Sequence, residues 1–296
     1  MTVEGTLADE NALWSRAEEQ REGSRYQRDF HAFMTECVWT IDEAAGGELA
    51  PFPRYDYIRE GCDLLMVEPL ILFEKSRRVL WTWLCAGLDI WICAGGQDPR
   101  WPALMRGDSY RQIIVMSKKE EDADFVIDRR IKVIYEGLWQ RGILEKWPGF
   151  PTCRFAYCKA NWNNGSQIKA LPQGKDQARQ FGATAVHYEE LAHSEEAKDT
   201  LAAGLPLLQG KAGTGGHLYA PCTPKATSHA RDIRDDVAEA QFGGPAVAAV
   251  DWPALKTPQD PAYRKYIDLT FRHLREPGPG RMLPHWHTRS GWCVVQ

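Results

Sequence analysis

The 8 cysteines of this 296-residue sequence include no C-x-x-C pair, which removes the usual frame of a structural zinc site. Cys153 and Cys158 are isolated from other ligands, and His285 with His287 lacks convincing partners. No signal peptide opens the chain, so the cysteines are expected to be reduced and mostly buried. An excess of positive charge is also missing. The 36 Lys and Arg face 40 Asp and Glu, a net charge of −4, so any contact with nucleic acid must be local. A membrane span is not expected either. The apolar stretch over 79–96 is short, is interrupted by Asp89 and ends at Gly95-Gly96 as a buried helix would. There is no internal repeat and no low-complexity tract. No acidic constellation follows residue 276, so the gathered carboxylates of a two-metal nuclease are not expected.

What remains is ordinary globular material, 44% hydrophobic and 26% charged, long enough for one large or two smaller domains with a sizeable core. Its 12 tryptophans favour a well-packed α/β core but specify no activity. Residues 1–50 read as a polar N-terminal helical arm. Within it, residues 28–40 carry Phe30, Phe33, Met34 and Val38 at amphipathic spacing. Residues 51–230 read as the core domain, and 231–296 as a loop-rich connector. That connector holds one further helix over 263–274, a Pro277-Gly278-Pro279-Gly280 linker and a strand-like Trp292-Cys293-Val294-Val295.

The most informative stretch is Glu74-Lys75-Ser76-Arg77-Arg78-Val79-Leu80-Trp81-Thr82, set between the apolar runs 70–73 and 80–93. Strand, short cationic loop and helix is the layout in which backbone N–H groups and a helix N-terminus hold an oligophosphate. The pattern G-x-x-x-x-G-K-[ST] is degraded here. Thr82 takes the place of the metal-binding hydroxyl, Trp81 that of the lysine and Leu80 that of the second glycine, while Lys75 stands at the loop's start. Downstream, Ile113-Ile114-Val115-Met116 reads as a buried strand and Ser117-Lys118-Lys119-Glu120 as a capping box. Helical spacing then runs from Ala123 through Leu138 to Gly142. Asn164-Gly165-Ser166-Gln167-Ile168-Lys169-Ala170-Leu171-Pro172-Gln173-Gly174 is a turn, a strand and a turn. After Arg179, a strand over 183–188 ends in Glu189-Glu190, and Leu218-Tyr219-Ala220-Pro221-Cys222 runs into Thr223-Pro224.

In this order the segments resemble the ATPase half of the large terminase subunit, the DNA-packaging motor of tailed bacteriophages, over roughly residues 28–296. The resemblance implies an α/β P-loop NTPase of the RecA-like (ASCE) kind, a mainly parallel sheet flanked by helices. It implies ATP and Mg²⁺ as cofactors. Lys75, Ser76, Arg77, Arg78, Val79, Leu80, Trp81 and Thr82 would cradle the phosphates, with Lys75 as a relocated Walker A lysine. Thr82 and Glu189 would serve the metal, with Glu189 in a place where the family more often has Asp. Glu190 would polarise the attacking water. Arg179 would be a finger reaching a neighbouring subunit's nucleotide, and Thr223 would sense the γ-phosphate. Phe52, Tyr55 and Tyr57 are candidates to grip the adenine, against a plain packing role.

Implied partners are double-stranded DNA, the portal ring of a procapsid and a small terminase subunit. The chain would form a ring when docked and be a monomer in solution, in the host cytoplasm and away from membranes. The stretch from Trp286 to Trp292 resembles the family's inter-domain segment, and no nuclease activity is expected. Arg129, Arg130 and Lys132 on one helix face, and Lys169, Lys175 and Lys211 in loops, are candidate DNA contacts. Two alternatives stay open: a non-hydrolysing P-loop-fold docking module, with turnover lost at Trp81 and Glu189, and another P-loop DNA-dependent ATPase.

Overall fold

In the computed structural model, residues 25–42, 46–74, 80–101, 110–147, 149–174, 182–208, 216–223 and 228–233 are described, with the backbone of 284–286 and 292–295. Helix α1 starts at Phe30–Ala32, capped by the Asp29 carboxylate on the Ala32 N–H, and continues as a π-turn over Phe33–Cys37. The hairpin β1 (Trp39–Asp42) and β2 (Glu48–Pro51) follows, then α2 (Asp56–Val67), β3 (Leu70–Glu74), α3 (Trp81–Cys93) and β4 (Gln112–Ser117). Helix α4 comprises Glu120–Val126, a π-turn Ile127–Ile131 and Lys132–Gln140. The rest of the chain gives α5 (Ile143–Lys146), β5 (Cys153–Ala156), β6 (Lys159–Trp162), β7 (Gln167–Pro172), β8 (Ala185–Tyr188), α6 (Ala197–Leu208), β9 (His217–Cys222), β10 (Pro284–Trp286) and β11 (Trp292–Val295).

Nine strands form one sheet in the order β10-β11-β3-β9-β8-β4-β7-β6-β5. From β11 to β7 every neighbour pair is parallel, and antiparallel hairpin strands close both edges. This is the expected mainly parallel α/β sheet, with β3 and β8 in one sheet and β9 between them. Side chains alternate across it with the period of two that strand geometry imposes. Ile71, Phe73, Ile113, Val115, Ala185 and Tyr219 face one core, with α2, α3 and α4. Leu72, Ile114, Met116, Val186, Tyr188, Leu218 and Ala220 face the other, with α6 and the turn at 191–193. Helices therefore cover both faces, as parallel strands buried on both sides require.

The apolar run beginning at residue 80 becomes α3, in which 12 of 13 residues are buried and Thr82 alone is partly open. A helix apolar all round has to lie inside the protein. Among the described residues no helix is long and apolar enough to cross a membrane.

Local expectations differ from the structure in three places. Residues 39 and 40 belong to β1 rather than to the preceding helix, because the chain turns there to pair with β2. Ser117 ends β4, paired with Pro172, and α4 begins only at Glu120, so no capping box forms; Glu120, Glu121 and Asp122 complement the helix dipole instead. Lys169 lies within β7, not in a loop. Residues 26–42 pack into the main core through Tyr26, Phe30, Phe33 and Met34. The helix expected over 263–274, residues 1–24 and most of the connector lie outside the described residues.

Candidate active site

Strands β3, β8 and β9 are parallel, so their C-terminal ends meet at one edge of the sheet. In open α/β sheets that edge is where ligands bind. Helix α3 starts at the same edge. Its N-cap, Leu80, is left-handed at φ 63°, ψ 11°. Glycine adopts that conformation freely, whereas an L side chain there costs about 1–2 kcal/mol. Leu80 occupies the place of the pattern's second glycine, so the chain holds a glycine-type backbone without the glycine.

Trp81, in the lysine's place, is fully buried. Its ring stacks on Phe73, with centroids 4.0 Å apart and planes at 27°. It also lies against Gly61 of α2, where a Cβ would collide with the indole. Trp81 is thus a core side chain and presents nothing to a phosphate. Lys75, Ser76, Arg77, Arg78 and Val79 lie outside the described residues, as does Arg179.

Thr82 turns the other way. Its hydroxyl donates to Glu189 Oε1 at 2.8 Å, across 107 residues of sequence. Glu189 Oε2 in turn faces His187 Nε2 at 3.3 Å, and His187 Nδ1 is 2.8 Å from Asp89 Oδ2. Asp89 Oδ1 accepts a short bond from the Tyr219 hydroxyl. The spacing explains the line of contacts. Positions 187 and 189 share a face of the strand, while 82 and 89 lie two turns apart on one face of α3. The helix runs back over the strand, so its first polar residue meets the residue just past the strand's end.

Asp89 and His187 are both fully buried. Burial acts to lower the imidazole, but Asp89, and then Glu189, outweigh it and raise His187 to about 9. A carboxylate at each ring nitrogen favours the imidazolium, in which both nitrogens donate.

Glu190 follows with a second left-handed backbone, φ 52°, ψ 45°. The Glu189 N–H bonds Met116 O on β4 at 2.8 Å, while the Glu190 N–H bonds Pro221 O on β9 at 2.9 Å. The two acids are therefore fixed to opposite neighbouring strands. The Glu190 carboxylate accepts from the Thr223 N–H at 2.8 Å and from the Thr223 hydroxyl at 3.2 Å. Four of the residues singled out in the sequence, Thr82, Glu189, Glu190 and Thr223, thus meet in two bonded pairs. Strained φ,ψ values of this kind concentrate at functional sites.

Phe52 is 1% exposed in the main core and offers no surface to a base. Tyr55 is the open member of its group, stacked on Tyr57 and rimming a polar cavity of about 350 Å³ with His31, Arg54 and Arg59. Of the helix cations, Lys132 and Arg129 pair with Asp128, and Arg130 lies over Trp83 and Phe125. Lys175 and Lys211 lie outside the described residues. The sequence reading missed Asp89, His187 and Tyr219. Their signal was there, since Asp89 and His187 each break an otherwise apolar element.

No protein-family model matches the sequence, and no curated protein matches it. Among solved structures, the chain is similar to the large terminase ATPase domain of Thermus phage P74-26, at 10% identity and a TM-score of 0.47, over 76% of this chain and 90% of that one. A mutant form of the same domain gives 11% identity and a TM-score of 0.45, over 62% of this chain and 70% of that one. The large terminase of bacteriophage HK97 gives 13% identity and a TM-score of 0.49, over 72% of this chain and 41% of that one. Likeness at this level carries no functional weight by itself.

Proposed function

We propose that the chain is an ATP-hydrolysing motor domain of the terminase large-subunit type. The observation that supports it most is the pair of contacts at the sheet's C-terminal edge, Thr82 with Glu189 and Glu190 with Thr223. A hydroxyl at a helix N-terminus bonded to the first of two strand-end acids is a set of hard oxygen donors. That set suits Mg²⁺, which binds through one or two carboxylates together with substrate phosphates and water. Among the described residues no three His, Cys, Asp or Glu gather into a protein-only metal cage, and a phosphate-bridged ion does not need one. When bound, Mg²⁺ would neutralise charge on the β and γ phosphates.

In this reading the N-terminus of α3 and the loop 75–79 hold the phosphates, with Lys75 supplying the charge that Trp81 does not. Thr82 and Glu189 hold the metal. Glu190 orients the attacking water, and Thr223, bonded to it, transmits the state of the site to the segment beyond β9. Arg179 reaches a neighbouring subunit's nucleotide. Double-stranded DNA, a portal ring and a small terminase subunit are the proposed partners. The proposed setting is the host cytoplasm, with the chain monomeric until it docks as a ring. One observation favours a second reading, a non-hydrolysing docking module: the full burial of Trp81 leaves the motif's lysine position without a charge.

Phosphate release measured with and without linear double-stranded DNA tests both. Mg²⁺-dependent turnover that DNA stimulates is expected. ATP binding with no turnover under either condition would select the docking module.

A further inference from the structure

The departure at Glu189, a glutamate where the terminase pattern more often has aspartate, and the polar break at His187 are two halves of one arrangement. A glutamate side chain carries one more rotatable bond than an aspartate, and a metal-facing carboxylate loses precision with each free torsion. Here both carboxylate oxygens are held: Oε1 by the Thr82 hydroxyl at 2.8 Å, Oε2 by His187 Nε2 at 3.3 Å. The imidazole is itself fixed, because its Nδ1 lies 2.8 Å from Asp89, which also takes the Tyr219 hydroxyl. His187 and Asp89 have no exposed side-chain surface, and Glu189 retains 13%. The two buried residues therefore reach the open edge only through Glu189.

We propose that His187, backed by Asp89 and Tyr219, is a positioning residue that locks the Glu189 carboxylate in the orientation in which it serves the metal. His187 touches neither nucleotide nor metal and acts wholly through Glu189. An aspartate at 189 would be too short to keep both contacts, so Glu189→Asp impairs this protein despite moving it toward the commoner pattern. The inference rests on the ATPase reading. Partners that hold a metal-binding carboxylate in place are typically worth about 10–100-fold in metal affinity.

The test compares the full chain with His187→Asn, Glu189→Gln and the double variant. It measures the Mg²⁺ concentration for half-maximal ATP turnover, and the affinity for a fluorescent ATP analogue with Mg²⁺ and in EDTA. For His187→Asn, half-saturating Mg²⁺ should rise about tenfold, while affinity in EDTA stays within about twofold of the parent. In the Glu189→Gln background the same substitution should add nothing, since its route to the metal is already gone. A merely structural histidine would instead lower both affinities and act equally in both backgrounds.

If His187→Asn does not fold, the triple variant Asp89→Leu, His187→Leu, Tyr219→Phe takes its place, because removing a buried polar set whole is tolerated where breaking it is not. Unchanged Mg²⁺ dependence in these variants, with a parent that turns over ATP, overturns the positioning role alone. A parent with no Mg²⁺-dependent nucleotide binding overturns the ATPase reading and the positioning role together.

Discussion

Motif repair at position 81 is a demanding test of the site. A motif alone suggests that Trp81→Lys restores the Walker A lysine and improves nucleotide binding. The structure requires the opposite. Trp81 is 0% exposed, stacked on Phe73 and set against Gly61. A buried tryptophan removes about 150–250 Å² from water, which at about 25 cal/mol per Å² is about 4–6 kcal/mol. A lysine stem recovers part of that, but its ammonium must then be desolvated or drag the start of α3 outward, at a cost of several kcal/mol. The net loss, about 5 kcal/mol or more, is comparable with the whole stability of many domains, about 5–15 kcal/mol. Trp81→Phe is the control. It keeps the stack and removes an indole N–H that has no acceptor among the described residues, so it should cost no more than about 2 kcal/mol. Urea unfolding followed by near-ultraviolet circular dichroism measures both. If Trp81→Lys unfolds within about 1 kcal/mol of the parent, or binds ATP more tightly, the inward orientation of residue 81 is wrong.

The remaining expectations are as specific. Lys75→Ala should weaken ATP binding by calorimetry far more than Trp81→Phe does; equal affinities would end the relocated-lysine idea. Glu190→Gln should bind Mg·ATP nearly as the parent does but turn over slowly, since a water-orienting carboxylate acts mainly on the transition state; parent-like turnover would remove Glu190 from the mechanism. Gly61→Ala should destabilise the fold by roughly 1–3 kcal/mol through its clash with Trp81, and lose most of that penalty when combined with Trp81→Phe. Burial pushes His217, whose Nε2 has no hydrogen-bond partner among the described residues, down to about 3. Its neutral form therefore stabilises the fold fully above pH 6.5, and that contribution falls as pH drops toward 3, by up to about 1.4 kcal/mol per unit. His217→Phe should flatten the stability profile between about pH 6.5 and 4, and an unchanged slope would show that His217 is not buried neutral.

How much of this was legible depended on whether a signal was local. Strand β3, the buried helix α3 and strand β4 were readable because long apolar runs bounded by polar turns permit few alternatives. That the acids at 189 and 190 meet Thr82 and Thr223 follows from a parallel sheet, which delivers its strand ends to one edge. The capping box failed for a non-local reason: Ser117 is claimed by pairing with β7, so the local helix-start signal lost to the ladder. The start of β1 at Trp39 was hidden in the same way, since helical spacing through Val38 gives no warning that the next residues pair with β2. Phe52 shows a further limit. An aromatic beside a phosphate loop has the same letter whether it stacks on a base or fills a core, and only its burial separates the two.

The pairing of Asp89 with His187 was the reachable part of the site that composition and motifs passed over. Asp89 interrupts an apolar helix and His187 an apolar strand. A buried charge is tolerated only when it is paired and bonded, so two flaws in elements that must pack together imply one another. The order of the elements makes the inference sharper. Helix α3 returns antiparallel over β8, so Asp89, seven positions beyond Thr82, has to meet the strand one side chain deeper than Glu189 does. His187, two before Glu189, is the residue on that face. Polar interruptions in otherwise apolar elements can therefore be matched by depth from a candidate site, and here the match leads from Thr82 through Glu189 to the buried Asp89–His187 pair.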